Sequence, residues 1–587
     1  MRRHLFGIFL ISGLALLSLV SVVQAQGGGR TYVGAGECRS CHQGLSTHQA
    51  TSLHALALQD VSTDQTPIVA DFSQGEAVRT VTLPGAADAR PFTADDVAYA
   101  VGAGRYTQRY LVAADDGYLL LPAQWNAHES TWEPFTLAES WPDAAYAWGP
   151  NCAYCHTVGL EVETFTWLDD GVRCEACHGP GSEHVALAEA APLRASTDEL
   201  AAIRGAIYVG ADAQVCGQCH SAGTDGTTGL PYPVGYRPGD ELLAGFTLVP
   251  PEDHAAWWPT GHGRAVNMQF SEWVHSGHSI LPDGLAASDM AQDACLSCHS
   301  ADYNYAEAIR ALFADGTLRG TPPEAVTVET AQFAVTCITC HSVHSEADFF
   351  ITSDDVRDDL CVACHSNNTG LEDFLHHPVQ EMIEGVTLVA AVPGIAGTHF
   401  TAENGPDCLT CHMPRVPGNE QARVSHALTP VVRDVPAELE TLVGCTECHT
   451  GFTAAAMQTF VDDAQTGTLE RLDAARAALN TDSPAWVEQA LDFVAGDGSL
   501  GVHNYLYTDA LLDAVETELA LVPAVGPFPE PVAPPDVVAE AASPPPAEVA
   551  PDTVIGDLTL PGVIFLGVVA LILVIAAYAF LIRGGDA

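Results

Sequence analysis

Cys337-Ile338-Thr339-Cys340-His341 and, a short way on, Cys361-Val362-Ala363-Cys364-His365 decide how this chain is read. Each holds two cysteines three positions apart, followed at once by histidine. Working outward, the same pattern recurs at Cys38-Cys41-His42, Cys152-Cys155-His156, Cys174-Cys177-His178, Cys216-Cys219-His220, Cys295-Cys298-His299, Cys408-Cys411-His412 and Cys445-Cys448-His449. These nine motifs use all 18 cysteines. A zinc pair or a thiol redox pair has no need of histidine at that one position, and a disulfide framework has no need of the pairs. CxxCH is the attachment motif of c-type haem. Two thiols on one helical turn can form thioethers with the two haem vinyl groups, and the next residue reaches under the ring as an iron ligand. The expected cofactors are therefore nine c-type haems.

The ends of the chain carry different signals. Arg2 and Arg3, an apolar run from Leu5 to about Val20 and Val23-Gln24-Ala25 read as a secretory signal over 1–25. Val563 to Ile582 supplies 20 uncharged, almost wholly apolar residues, about 30 Å as a helix, which predicts a transmembrane helix over 560–583. Arg583 is the cation beside it, so the tail 584–587 is expected in the cytoplasm and the rest outside. Between Pro523 and Pro551 stand ten prolines, which predict a semi-rigid linker over 522–559.

Charge narrows the partners. The 587 residues hold 22 cations, all arginine, against 74 acidic residues, for a net charge of −52. That balance repels nucleic acid, and redox protein partners are expected to present a basic docking patch. The contact with membrane is expected through the C-terminal helix alone.

Motif spacing divides the remainder into an N-terminal multihaem region, 26–285, and a haem-dense C-terminal one, 286–521. The long interval after His42 carries a small β-containing insertion at about 60–125. Ala77 to Leu83, Val97 to Val101, Gln108 to Ala113 and Tyr118 to Leu121 read as its strands, with Asp115-Asp116-Gly117 as a hairpin turn. Glu470 to Leu479, Pro484 to Val494 and Tyr507 to Leu521 carry helical apolar spacing. The porphyrins are expected to supply much of the apolar core. The fold class is thus mainly α with few short strands, a loop-rich, haem-dominated multihaem cytochrome c fold plus one C-terminal transmembrane helix.

Several stretches resemble a known superfamily. YVGAGECRSCHQGLSTHQATSLHA (Tyr32 to Ala55) and CEACHGPGSEH (Cys174 to His184) are similar to the tetrahaem cytochrome that accepts electrons from hydroxylamine oxidoreductase. CITCHSVH (Cys337 to His344) resembles the wider group, which includes hydroxylamine oxidoreductase and the octahaem and pentahaem nitrite reductases. CLTCHMP with VSHALTP (Cys408 to Pro414, Val424 to Pro430) and GVHNYLYTDALL (Gly501 to Leu512) are similar to the C-terminal part of the pentahaem enzymes. The resemblance implies haems packed in parallel and near-perpendicular pairs, and it implies distal ligands at His54, His184, His344, His426 and His503.

An electron-transfer haem is most easily built with two protein ligands, so that iron changes charge without exchanging one. Outside the motifs and the signal stand 14 histidines for nine irons. His275 and His278 lie three apart on an expected helix face, and one of His376 and His377 is expected to ligate. His399 is a weaker candidate; His48, His128, His254 and His262 suit core or surface roles. Met268, Met290, Met382 and Met457 are alternatives.

These readings predict a membrane-anchored nine-haem cytochrome transferring electrons on the outer side of the cytoplasmic membrane, in a periplasm or at a cell surface. The alternative is an oxidoreductase of hydroxylamine, nitrite or sulfur oxyanions, in which one haem keeps an open side for a small inorganic substrate. A chain without lysine cannot supply the CxxCK ligand that typical pentahaem nitrite reductases use.

Overall fold

Alternating burial shapes the interval between the first two motifs. Thr107–Ala114 (β3) turns Gln108, Tyr110 and Val112 inward, as a strand with period-two side chains must. It pairs with β2 (Tyr99–Val101), with β4 (Gly117–Leu120) across the turn at Asp115-Asp116, and with β5 (Ala123–Asn126). Adding β1 (Leu58–Asp60) and β6 (Thr131–Pro134) gives an antiparallel sheet ordered β1-β2-β3-β5-β6, with β4 beside β3. Trp125 and Trp132 sit opposite each other, their rings 5.7 Å apart. The insertion therefore runs past the expected boundary, to Pro134.

One expected strand is not formed. Glu76–Arg79 is a helical turn, and only Thr80–Val81 of the predicted segment pairs, with Arg90–Pro91. The cause is Arg79, whose buried guanidinium donates to the carbonyls of Phe72, Gln74 and Phe92. It also lies over the rings of Phe72, Phe92 and Trp132 at 5.2, 5.8 and 5.4 Å. A side chain satisfying three carbonyls replaces the ladder that a strand would need.

The second protein core is helical. α1 (Ala454–Ala478) opens at Thr453, whose hydroxyl accepts from the Ala456 amide. The predicted helix 470–479 is the last part of this longer one. α2 (Ala485–Gly496) and α3 (Tyr505–Glu518) complete a three-helix packing over Leu472, Val487, Leu491, Phe493, Tyr507 and Leu511. Arg471 clamps α1 to α3 through Asp509, Asp513 and Glu516 at 2.6, 2.6 and 2.7 Å. Asn504 fixes the start of α3 by donating to the carbonyls of Met382 and Ile395.

Between these cores the chain is loop-rich, with short helices at the motifs such as Cys174–His178 and Cys408–His412. This computed structural model describes residues 29–521 except 138, 282–284, 286–290, 345–359, 368–374, 402–404, 419–421 and 440–444. The described residues all belong to the unit 1–528; the other unit is 529–587. The expected signal peptide, linker, transmembrane helix and tail lie outside them. Among the described residues no helix is long and apolar enough to cross a membrane.

Candidate metal centres

An iron held between two imidazoles sets a recognisable spacing. Two metal–nitrogen bonds of about 2 Å, plus the distance from each nitrogen to its ring centre, put the centroids about 6 Å apart. The structure brings His42 to 6.2 Å from His184, His220 to 6.0 Å from His54, and His178 to 6.0 Å from His344. His341 faces His426 at 6.1 Å, His412 faces His503 at 6.2 Å, and His449 faces His399 at 6.0 Å. His365 has His278 at 6.0 Å and His377 at 6.1 Å. His299 has His376 at 5.9 Å and His377 at 6.1 Å, and the ligand atoms of these three lie within 4.8 Å of one another. With His278 over His365, either neighbour can serve His299. His377 holds φ 54°, which lets two successive rings turn toward one place.

The facing rings offer nitrogen donors. Burial, as the largest cause, pulls His54, His365, His376 and His426 down to about 4. Several have the ring nitrogen away from the partner fixed by a backbone oxygen: His178 by Tyr208 at 2.8 Å, His184 by Ile203 at 2.8 Å and His412 by Leu428 at 3.3 Å. Such contacts orient a ligating imidazole.

One motif differs. No histidine among the described residues faces His156. Trp148 lies beside it, 5.3 Å away and tilted by 59°, and its Nδ1 meets the Ala57 carbonyl at 3.1 Å. His275, a predicted ligand, stands edge-on to Trp257 at 5.7 Å and faces no motif histidine among the described residues. His262 is a core residue, bonded to Thr260 and to the Thr429 carbonyl. His399, left out of the stronger candidates, does face a motif histidine; the short helix Thr398–Thr401 that carries it has no local signal tying it to a motif 46 residues later.

Two buried carboxylates hold the pairs in place. Glu175 accepts from the amides of Gly34 and Gly181 at 2.7 Å and of Val33 at 3.1 Å, joining the first motif's approach to the third motif. Glu272 pairs with Arg423 at 2.7 Å and accepts from the amides of Gly263 and His426 and the Ser425 hydroxyl. Burial alone would raise the Glu272 carboxyl, and Arg423 brings it below its ordinary value.

The motifs also lie near one another. Thiols neighbour each other at Cys38 and Cys174, Cys155 and Cys219, Cys216 and Cys337, Cys298 and Cys364, and Cys361 and Cys408. Looser proximity joins Cys177 to Cys216 and Cys219, Cys340 to Cys361 and Cys364, and Cys411 to Cys445 and Cys448. Together these contacts draw a line through the motifs of His42, His178, His220, His341, His365, His412 and His449. The motif of His156 branches off at that of His220, and the motif of His299 at that of His365. Cys41, Cys411 and Cys448 are exposed, so both ends of the line reach the surface.

Comparison with known proteins agrees. Residues 124–179 match the family described as cytochrome c554 and c-prime, and residues 331–370 match the doubled CXXCH motif. No curated relative matches. Among solved structures, the outer cell wall cytochrome OcwA is similar at a TM-score of 0.65 and 27% identity, over 83% of this chain and 99% of that one. The undecahaem cytochrome from the S-layer of Carboxydothermus ferrireducens is similar at a TM-score of 0.51 and 20% identity, over 84% of this chain and 69% of that one. With its repeated CxxCH motifs and facing histidines, the chain is a multihaem c-type cytochrome.

Proposed function

We propose that the chain carries nine haems and relays electrons on the outer side of the cytoplasmic membrane, to which its C-terminal helix anchors it. The observation that carries the relay is that eight motif histidines have another histidine about 6 Å away while every motif lies near a neighbouring one. Bound haem supplies a one-electron iron couple; the chain's histidines keep its coordination unchanged through the cycle. The exposed first and last motifs are the docking points for redox proteins, and a net charge of −52 selects partners with a basic patch. The outer cell wall and S-layer placement of the two similar cytochromes supports an extracytoplasmic setting for this one.

His156 favours a second reading. A haem bound there keeps one side free of histidine and is the place for a small inorganic ligand, as in an oxidoreductase of hydroxylamine, nitrite or sulfur oxyanions. Electron paramagnetic resonance of the oxidised protein separates the readings. The relay with one open branch gives eight low-spin ferric haems and one high-spin ferric haem; turnover of nitrite or hydroxylamine at that haem makes the protein an enzyme. Several high-spin haems would contradict the histidine pairs.

A further inference from the structure

His503 has a carboxylate behind its outer nitrogen. Its Nδ1 lies 2.7 Å from the Asp497 carboxylate, and that side chain is almost wholly buried. Asp497 also accepts from the amide and the hydroxyl of Ser499, and the Ser499 hydroxyl in turn accepts from the His503 amide. Donors thus converge on one carboxylate behind one ring. By contrast, Nδ1 of His156, His178, His184, His412 and His426 meets backbone carbonyls, and that of His220 meets the Gln269 amide oxygen at 3.2 Å. Those acceptors are neutral.

A carboxylate accepting from the outer N–H of a ligating imidazole draws the proton away and makes the inner nitrogen a stronger donor. Stronger donation, together with a buried negative charge nearby, favours ferric over ferrous iron, so the couple moves to lower potential. The place matters as well. His412, which faces His503, belongs to the motif that lies on the line between the branch at His365 and the exposed motif at His449.

We infer that Asp497 is a positioning residue that sets the haem of Cys408, Cys411 and His412 at low potential, making it a step electrons must climb between the inner haems and the outer one at His449. The inference rests on the reading that His412 and His503 share an iron. Electrons entering from the His42 end collect on the inner haems, and passage to His449 then depends on how strongly the donor drives them.

A potentiometric titration of the full-length holoprotein, followed by optical and paramagnetic signals, tests this with Asp497→Asn and Asp497→Glu. In Asp497→Asn one couple rises by about tenfold in its reduction equilibrium, about 59 mV for one electron, while the others stay. Asp497→Glu restores most of the shift. Titration curves of Asp497→Asn and wild type that superimpose overturn the inference. Should Asp497→Asn fail to incorporate haem, the wild-type protein still decides. One component of its near-infrared magnetic circular dichroism charge-transfer band should be displaced to higher energy by the stronger axial donor, and a single undisplaced band overturns the inference. His503→Ala separates the two levels. It creates one new high-spin haem if His503 ligates, and an unchanged low-spin count sinks the ligand assignment itself.

Discussion

The sheet at 58–135 and the haem-dense stretch at 295–449 solve the same packing problem with different materials. The sheet buries Phe92, Tyr110, Trp125 and Trp132 in the cluster that holds Arg79, and Phe135 with Tyr146 and Trp148 in a second one, both made of protein side chains. In the haem-dense stretch no aromatic side chain is buried among the described residues, and apart from Met382, Val389 and Val392, which join the three-helix core, its cluster of Val416, Val431 and Leu439 with Trp258 is small. Two imidazole rings 6 Å apart make no core by themselves. The difference teaches that the first region can fold on apolar burial alone, whereas the second is completed by porphyrin.

Blocking haem attachment should therefore break the comparison most visibly. In protein made without haem maturation, amide exchange over 295–449, apart from the segment 382–395 that packs on the three helices, should approach that of an unfolded chain, while β3 and α2 keep protection. Equal loss everywhere would mean that neither protein core stands alone.

Next in size is the buried ion pair that supports the haem-dense side. Glu272→Ala leaves Arg423 buried without its partner and removes the acceptor for the His426 amide, so denaturant titration of the holoprotein should show a loss of about 3–5 kcal/mol. Glu272→Ala should also disturb the low-spin signal of the haem at His341. On the sheet side, Trp132→Ala opens a cavity beneath Arg79 and should cost about 3 kcal/mol with every haem spectrum intact. A changed haem spectrum in that variant would show that the two regions are not energetically separate.

The smallest effect is at the short strand pair of Thr80–Val81 and Arg90–Pro91. Arg90, bonded to both Asp96 oxygens, holds that carboxyl down at about 2, with the Thr93 amide and hydroxyl helping. A depressed carboxyl contributes stability above its unfolded value near 4, and that contribution is lost as pH falls through about 2. Because Arg90 is half exposed, the effect should stay below about 1 kcal/mol. Melting of Asp96→Asn and wild type should differ slightly at pH 6 and converge near pH 2.

What the sequence reveals follows from how local each signal is. The motifs are five residues long and self-contained, so every attachment point is legible. The facing histidines are not local: His54 stands 12 residues from His42 yet faces His220, 166 residues away. Resemblance to known motifs singles out His54, His184, His344, His426 and His503, but no spacing rule pairs them with irons, and His399 carries no motif at all. The strand at 77–83 fails for a similar reason. Its apolar alternation is real, but Arg79 turns inward to distant carbonyls, which no pattern of hydrophobicity expresses. Helices α2 and α3 are legible because their burial repeats every three or four residues within one segment.

The central claim is that each of the nine motifs binds haem covalently. The intact mass of the acid-denatured, purified protein tests it directly. The account requires the mature polypeptide plus nine haem masses, all retained after acidified acetone. A mass carrying fewer haems, or none, would contradict it.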